Sequence, residues 1–207
     1  MGSYVDDDIE ADYSTDLFRW LNRSNSDTIE DMSGLQNEII IDGDAAFAYF
    51  FAVDYGYKTY LMQKVILDQE DAKYACAFAM SIKGADIKAL QNVVIKSKKI
   101  KYINRFACFV KGANKKRLEA LIIESKKPRY LFQLAQRLTS PKDIQKIEDL
   151  IIQSNSFTYM RLFAEKIKKA NVDKIERAVL DTDNGPEIKK FAKFVRKSKM
   201  KKFLLVE

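Results

Sequence analysis

The residue types that perform chemistry in proteins are scarce in this chain. Its 207 residues include no histidine, which removes the usual general base, the commonest metal ligand and every histidine-dependent triad. The two cysteines, Cys76 and Cys108, stand apart with no Cys-x-x-Cys spacing. Neither they nor the carboxylates outline a zinc or calcium site. The seven glycines are scattered, with no phosphate-cradling loop among them. Carboxylates recur at one spacing, Glu119, Glu148 and Glu176 after Gln63 and Gln91. A ladder of that kind reads as a solvated helix edge or an inter-repeat hydrogen bond rather than a catalytic pair. The expectation is a protein that is not an enzyme, with no metal site and no cofactor.

Cations are the groups that remain. Lys83, Lys111, Lys168 and Arg196 recur in step with one another, each at the expected end of a helix. A cation there complements the negative helix C-terminus by about 0.3–1 kcal/mol, which explains the position without any ligand. The same spacing sets these charges in a row along one edge of the fold. Lys96, Lys98, Lys99 and Lys101 thicken that row, as do Lys115, Lys116 and Arg117, and then Lys126, Lys127 and Arg129. A last cluster carries Lys189, Lys190, Lys193, Lys197, Lys199, Lys201 and Lys202.

Residues 1–44 hold twelve acids and two arginines, leaving 34 basic and 17 acidic side chains to residues 45–207. The overall net charge of +7 therefore hides an acidic leader joined to a strongly basic body. That asymmetry points to nucleic acid, an acidic partner, or the chain's own leader as counter-charge.

The elements that position these groups follow from a repeat. Tyr74, Phe78-Ala79, Ile82, Gly84-Ala85 and Leu90 return 28 positions later as Tyr102, Phe106-Ala107, Val110, Gly112-Ala113 and Leu118. Tyr130, Leu134-Ala135 and Leu138 follow, then Tyr159, Phe163-Ala164 and Ile167, then Phe191-Ala192 and Val195. Self-similarity at a period of this size is the mark of a repeat architecture. Within a unit, Tyr102, Phe106 and Val110 lie four apart on one helical face. Gly84 and Gly112 suit left-handed C-caps. Asp86, Asn114 and Asn171 suit N-caps of a second helix, and Pro128 and Pro186 suit the start of the next first helix.

The predicted fold is all-α, an α-solenoid of about six helix–turn–helix units starting near residues 46, 74, 102, 130, 159 and 187. One unit departs from the pattern. Tyr130 and Tyr159 are 29 apart and Ser140-Pro141-Lys142 replaces the Gly-Ala turn, so one extra loop residue is expected there. The tyrosines keep register with the core phenylalanines, which predicts burial between units rather than base-stacking platforms.

The hairpin units resemble the α-solenoid repeats of the HEAT and tetratricopeptide type, although 28 residues is shorter than either usual unit. The string Tyr-x3-Phe-Ala-x2-Val-Lys-Gly-Ala-Asn/Asp also resembles repeats of uncharacterised phage and large-DNA-virus proteins. It covers about four-fifths of the chain. The resemblance implies a helical-repeat fold and a binding role, such as an adaptor or inhibitor acting on a host protein. It implies no active-site residue.

In the leader, Ser14 or Thr15 can cap a short helix through Leu17, Phe18, Trp20 and Leu21. Trp20, the only tryptophan, either packs on the first repeat to shield its open end or belongs to a partner-binding or autoinhibitory arm. Glu38–Asp42 reads as an extended link or as the start of a helix running into Ala45. No apolar run approaches the ~20 residues needed to cross a bilayer, and isolated thiols suit a reducing, cytoplasmic setting.

The favoured expectation is a protein-binding scaffold with an acidic partner. The alternative is a nucleic-acid-binding solenoid that neutralises phosphate with little sequence preference. A homodimer through the solenoid ends, for instance through Phe203-Leu204-Leu205, is a further expectation. The binding residues expected are Lys83, Lys98, Lys99, Lys111, Lys126, Lys127, Lys168, Lys193, Arg196, Lys197 and Trp20.

Overall fold

The computed structural model describes residues 15–16, 19–21, 32–195 and 198–199, with no strand among them. The chain divides into two compact units, Met1–Asn114 and Lys115–Glu207. In the first unit the helices are α1 (Met32–Asp42), α2 (Ala45–Tyr55), α3 (Thr59–Asp68), α4 (Ala72–Ser81), α5 (Ile87–Lys96) and α6 (Ile100–Phe109). In the second they are α7 (Lys115–Glu124), α8 (Pro128–Ala135), α9 (Pro141–Gln153), α10 (Phe157–Lys166), α11 (Val172–Leu180) and α12 (Gly185–Phe194).

Each unit packs neighbour on neighbour, the architecture of an α-solenoid. In the first, α2–α3 and α4–α5 are hairpins, the first helices α2, α4 and α6 stack in order, and α3 packs on α5. Helix α1 covers both members of the leading hairpin. In the second, α8–α9 and α10–α11 are hairpins, α8, α10 and α12 stack, and α7 packs on α8.

Stacking of the first helices rests on the recurring aromatic–alanine pair. Phe78, Phe106, Phe163 and Phe191 are buried, with Leu134 in their place in α8. The alanines that follow, Ala79, Ala107, Ala135, Ala164 and Ala192, are buried as well. A methyl group lets the next helix approach while the ring fills the space between hairpins. Truncating one of these phenylalanines to alanine would cost about 3–5 kcal/mol.

The caps follow the expected chemistry. Asp86 Oδ1 accepts the Ala89 N–H (3.0 Å), Ser140 Oγ the Asp143 N–H (3.4 Å) and Asn171 Oδ1 the Lys174 N–H (3.1 Å). Asp44 and Asp71 do the same for the first helices α2 and α4. Pro128 and Pro186 lie in the first turns of α8 and α12.

Three expectations are corrected. Gly84 and Gly112 are left-handed (φ 83° and 80°), but they lie two residues beyond the extended C-cap residues Ile82 and Val110. Each therefore shapes the turn rather than ending the helix. The extra residue between Tyr130 and Tyr159 is absorbed in helix: α8 has eight residues and α9 thirteen, because Pro141 can open a helix while no glycine forms the usual turn. Glu38–Asp42 belongs to α1, and that helix does not run into Ala45. Gly43 at φ 65° breaks it, and Asp44 caps α2.

A second repeating device joins each second helix to the next first helix. The Ser97, Ser125, Ser154 and Thr182 hydroxyls each donate to the carbonyl three residues back, at 2.6–2.7 Å. The residue after each, Lys98, Lys126, Asn155 or Asp183, is left-handed at φ 51–54°. Glu70 has the same conformation after Gln69.

Candidate partner-binding surface

The described part of the leader is seated on the first unit. Residues 15–16 and 19–21 are helical; Leu17 and Phe18 lie outside the described residues, as do Ser14 and residues 1–13. Trp20 is 1% exposed. Its ring centroid lies 5.7 Å from that of Phe47 and 6.3 Å from those of Phe50 and Tyr55. Its indole N–H donates to Asp54 Oδ2 at 2.6 Å, so the one polar atom of a buried ring is satisfied.

One turn earlier, Asp16 Oδ2 accepts the Tyr74 hydroxyl (2.5 Å) and pairs with Lys73 Nζ (2.7 Å). Arg19 reaches Asp44 (3.3 Å) and lies over the Phe47 ring (5.2 Å). Burial alone would raise the Asp16 carboxyl. The hydrogen bonds from Lys73 and Tyr74, with the Lys73 and Arg19 charges, outweigh it and hold the group below its ordinary value.

The lysines that share repeat positions occupy two edges rather than one. Lys83 and Lys111 are exposed in the turns that follow α4 and α6, whereas Lys98 and Lys99 are exposed at the junction between α5 and α6. A hairpin reverses the chain, so these two sets emerge at opposite ends of helices of about ten residues, roughly 15 Å apart. The second unit repeats the division, with Lys168 after α10 and Lys126 and Lys127 between α7 and α8. Lys98 and Lys126 also hold the left-handed junction positions, a backbone role. Lys193 is exposed on α12, its Nζ 5.7 Å from the Phe194 centroid. Arg196, Lys197 and Phe203–Leu205 lie outside the described residues.

Acids are unevenly placed among the first helices, since α2, α10 and α12 carry Asp54, Glu165 and Glu187. Helices α4, α6 and α8 carry no acid, while the second helices carry Asp68, Glu119, Glu124, Asp143, Asp149 and Asp173 among others. Cations on the second helices and nearby junctions are answered by acids: Lys96 pairs with Glu70, Lys174 with Asp149, and Lys199 with Asp173 (2.7 Å). The carboxylate ladder is an inter-repeat bond. Gln63, Gln91 and Glu148 accept the backbone N–H of Asp86, Asn114 and Asn171 at 2.7–2.8 Å, and Glu176 accepts that of Lys199 at 3.2 Å. Glu119 differs. It lines a cleft of about 470 Å³ with Lys116, Ile123, Leu134 and Lys146.

The first-helix face also exposes apolar side chains that charge patterning does not reveal. In the first unit, Val53 (46% exposed), Met80 (38%) and Phe109 (64%) stand at the C-terminal ends of the stacked α2, α4 and α6. In the second, Phe194 is exposed at the end of α12, with the Arg161 guanidinium 4.8 Å from its ring centroid. Phe109 lies three residues past the core Phe106. Phe194 lies likewise past Phe191 and Val53 past Phe50, so an apolar residue recurring three past the core position was the available signal. The repeating tyrosines are not platforms: Tyr74 and Tyr102 are buried, and Tyr130 and Tyr159 half-buried.

No helix of the described residues is long and apolar enough to cross a membrane. No known protein family, curated protein or solved structure matches this chain.

Proposed function

We propose that this protein is a non-catalytic helical-repeat scaffold that binds an acidic protein partner through the first-helix face of its first unit. The observation that carries the reading is the apolar row of Val53, Met80 and Phe109 on helices of which α4 and α6 hold no acid. A row of exposed apolar side chains rimmed by polar groups marks an interaction surface, and its aromatic member is the natural anchor. Lys101 and Arg105 on α6 and the exposed Lys83 and Lys111 beyond the helix ends supply positive charge to that surface, which favours an acidic partner. The resemblance of the repeat string to phage and large-DNA-virus proteins favours an adaptor or inhibitor that meets its partner in a host cell. Two unbridged cysteines suit a reducing, cytoplasmic compartment.

The second reading, nucleic acid, is favoured by one observation in the second unit, Phe194 flanked by Arg161 and Lys193. An aromatic among cations is the arrangement that stacks a base beside a phosphate. The deciding experiment titrates the full chain into a labelled acidic amphipathic peptide and into labelled single-stranded DNA and RNA at several salt concentrations. The protein reading expects peptide binding that Phe109→Ser abolishes. Oligonucleotide binding that weakens linearly on a log–log salt plot, insensitive to Phe109→Ser and lost with Phe194→Ser, would replace it with the second reading.

A further inference from the structure

We propose that the seat on α2 and α4 occupied by Asp16 and Trp20 is itself a peptide-recognition site, built to take a partner's amphipathic helix with a carboxylate four residues before a tryptophan. The inference goes beyond the apolar face proposed above, because it concerns a second site on the first unit and names the chemistry of the segment that site receives. Asp16 and Trp20 are helical residues four apart in sequence, the spacing that sets two side chains on one side of a helix. The seat answers each of them separately. Phe47, Phe50 and Tyr55 enclose the indole, and the Asp54 carboxylate accepts its N–H at 2.6 Å. Lys73 and the Tyr74 hydroxyl hold the carboxylate at 2.7 and 2.5 Å. An acceptor at one end and two donors at the other, one turn apart, select both the order and the spacing of a bound helix.

The seated segment behaves as a ligand rather than as the end cap of the stack. Capping of the leading hairpin is done by α1, which packs on both α2 and α3. So few helical residues have little stability of their own in water, and the order of Asp16 and Trp20 derives from the seat. The segment therefore occupies in cis the place a partner helix takes in trans. Tethering gives it an effective concentration on the order of millimolar, so a free competitor binds weakly until the cis segment is disabled.

The test is fluorescence anisotropy of a labelled peptide carrying residues 10–24 of this chain. It is titrated with the full chain and with its Asp16→Asn/Trp20→Ala variant, which keeps every residue of the seat. We expect the variant to bind the peptide about 100-fold more tightly than the wild type does, and Lys73→Glu added to the variant to abolish binding. Equal affinities, or no binding by a variant that keeps its helical circular dichroism, would overturn the proposal. Should the variant fail to fold, hydrogen exchange of the wild-type Trp20 indole N–H decides. Exchange far faster than that of the α4 amides sustains an exchangeable seat, and exchange only together with those amides overturns it. Phe109→Ser separates this proposal from the function proposed for the apolar face. That substitution removes the apolar row and leaves the residue 10–24 peptide's affinity for the variant unchanged, so either idea can fail without the other.

Discussion

Glu148 accepts the backbone N–H of Asn171 through Oε2 at 2.7 Å, the bond that Gln91 makes to Asn114 two repeats earlier. The two side chains differ in what the second oxygen or nitrogen costs. Glu148 is 1% exposed and its Oε1 has no partner. Burial pushes its carboxyl above the ordinary value, more than the Asn171 amide and the Lys174 charge pull it down. A folded-state value above the unfolded one means that the protonated form is favoured by folding. This contribution to stability is full below pH 4.5 and is lost as the pH rises through the folded value. Glu148→Gln is therefore expected to stabilise the protein at neutral pH by about 1 kcal/mol and to flatten the pH dependence above 4.5. Thermal unfolding across pH reads both. Glu176→Gln is the control. Ser198 Oγ reaches one of its oxygens (3.4 Å) and the Lys199 N–H the other (3.2 Å), so no gain is expected.

Lys98 gives a different kind of test, because it was expected to serve binding and holds a backbone position. At φ 54° a side chain with a Cβ costs about 1–2 kcal/mol. Glycine relieves that strain while loosening the unfolded chain by about 0.4–1 kcal/mol. Lys98→Gly should raise stability by about 0.5 kcal/mol, measured by urea unfolding. Lys99→Gly, one residue on at φ −79°, should lower it. Equal effects of the two substitutions would show that the junction geometry is not what governs this position.

The two cysteines should separate under alkylation. Cys76 is fully buried on α4, its thiol pushed up to about 12 by desolvation, and it is an inert sulfur packed near Met80 Sδ and the Tyr102 carbonyl (4.0 Å each). The thiolate is the reactive form, so a maleimide at neutral pH is expected to label Cys108, which is half-buried, and to reach Cys76 only in denaturant. Mass spectrometry of the intact protein would show one adduct in native buffer and two when unfolded. Two adducts in native buffer would contradict the burial of Cys76.

Much of this fold was legible because the repeat writes its core and its caps in residues with one dominant use. Phe78, Phe106, Phe163 and Phe191 keep a helical register that only burial explains, and Asp86, Ser140, Asn171, Pro128 and Pro186 mark helix starts. What escaped was written in residues whose use depends on surroundings. Serine before a left-handed lysine at Ser97-Lys98 and Ser125-Lys126 carries no local signal comparable to glycine. The row at Val53, Met80 and Phe109 is visible only once α2, α4 and α6 are known to stack. Period alone does not say which end of a hairpin a position occupies, so the lysine clusters look like one edge in sequence and lie on two in the fold. Of the expected binding residues that the structure describes, Trp20 alone is buried.

Asp16 supplies the opposite pH signature to Glu148. Its carboxyl is held below the ordinary 3.8 because the bonds from Lys73 and Tyr74 and the Lys73 and Arg19 charges outweigh its desolvation. A depressed folded value contributes stability that is present above 3.8 and is lost as the pH falls through the folded value. Tyr74→Phe removes one donor and should cost about 1 kcal/mol. Asp16→Asn should cost a comparable amount at neutral pH and nothing once the wild-type carboxyl is protonated. Trp20 fluorescence is the sensitive readout, because the indole sits in the same seat and reports its loosening before the rest of the unit unfolds. Acid titration of the wild type should therefore shift the Trp20 emission to the red ahead of the loss of helical circular dichroism, and Asp16→Asn should emit at the shifted wavelength already at neutral pH. Coincident transitions in both proteins would mean that Asp16 does not hold the segment in place.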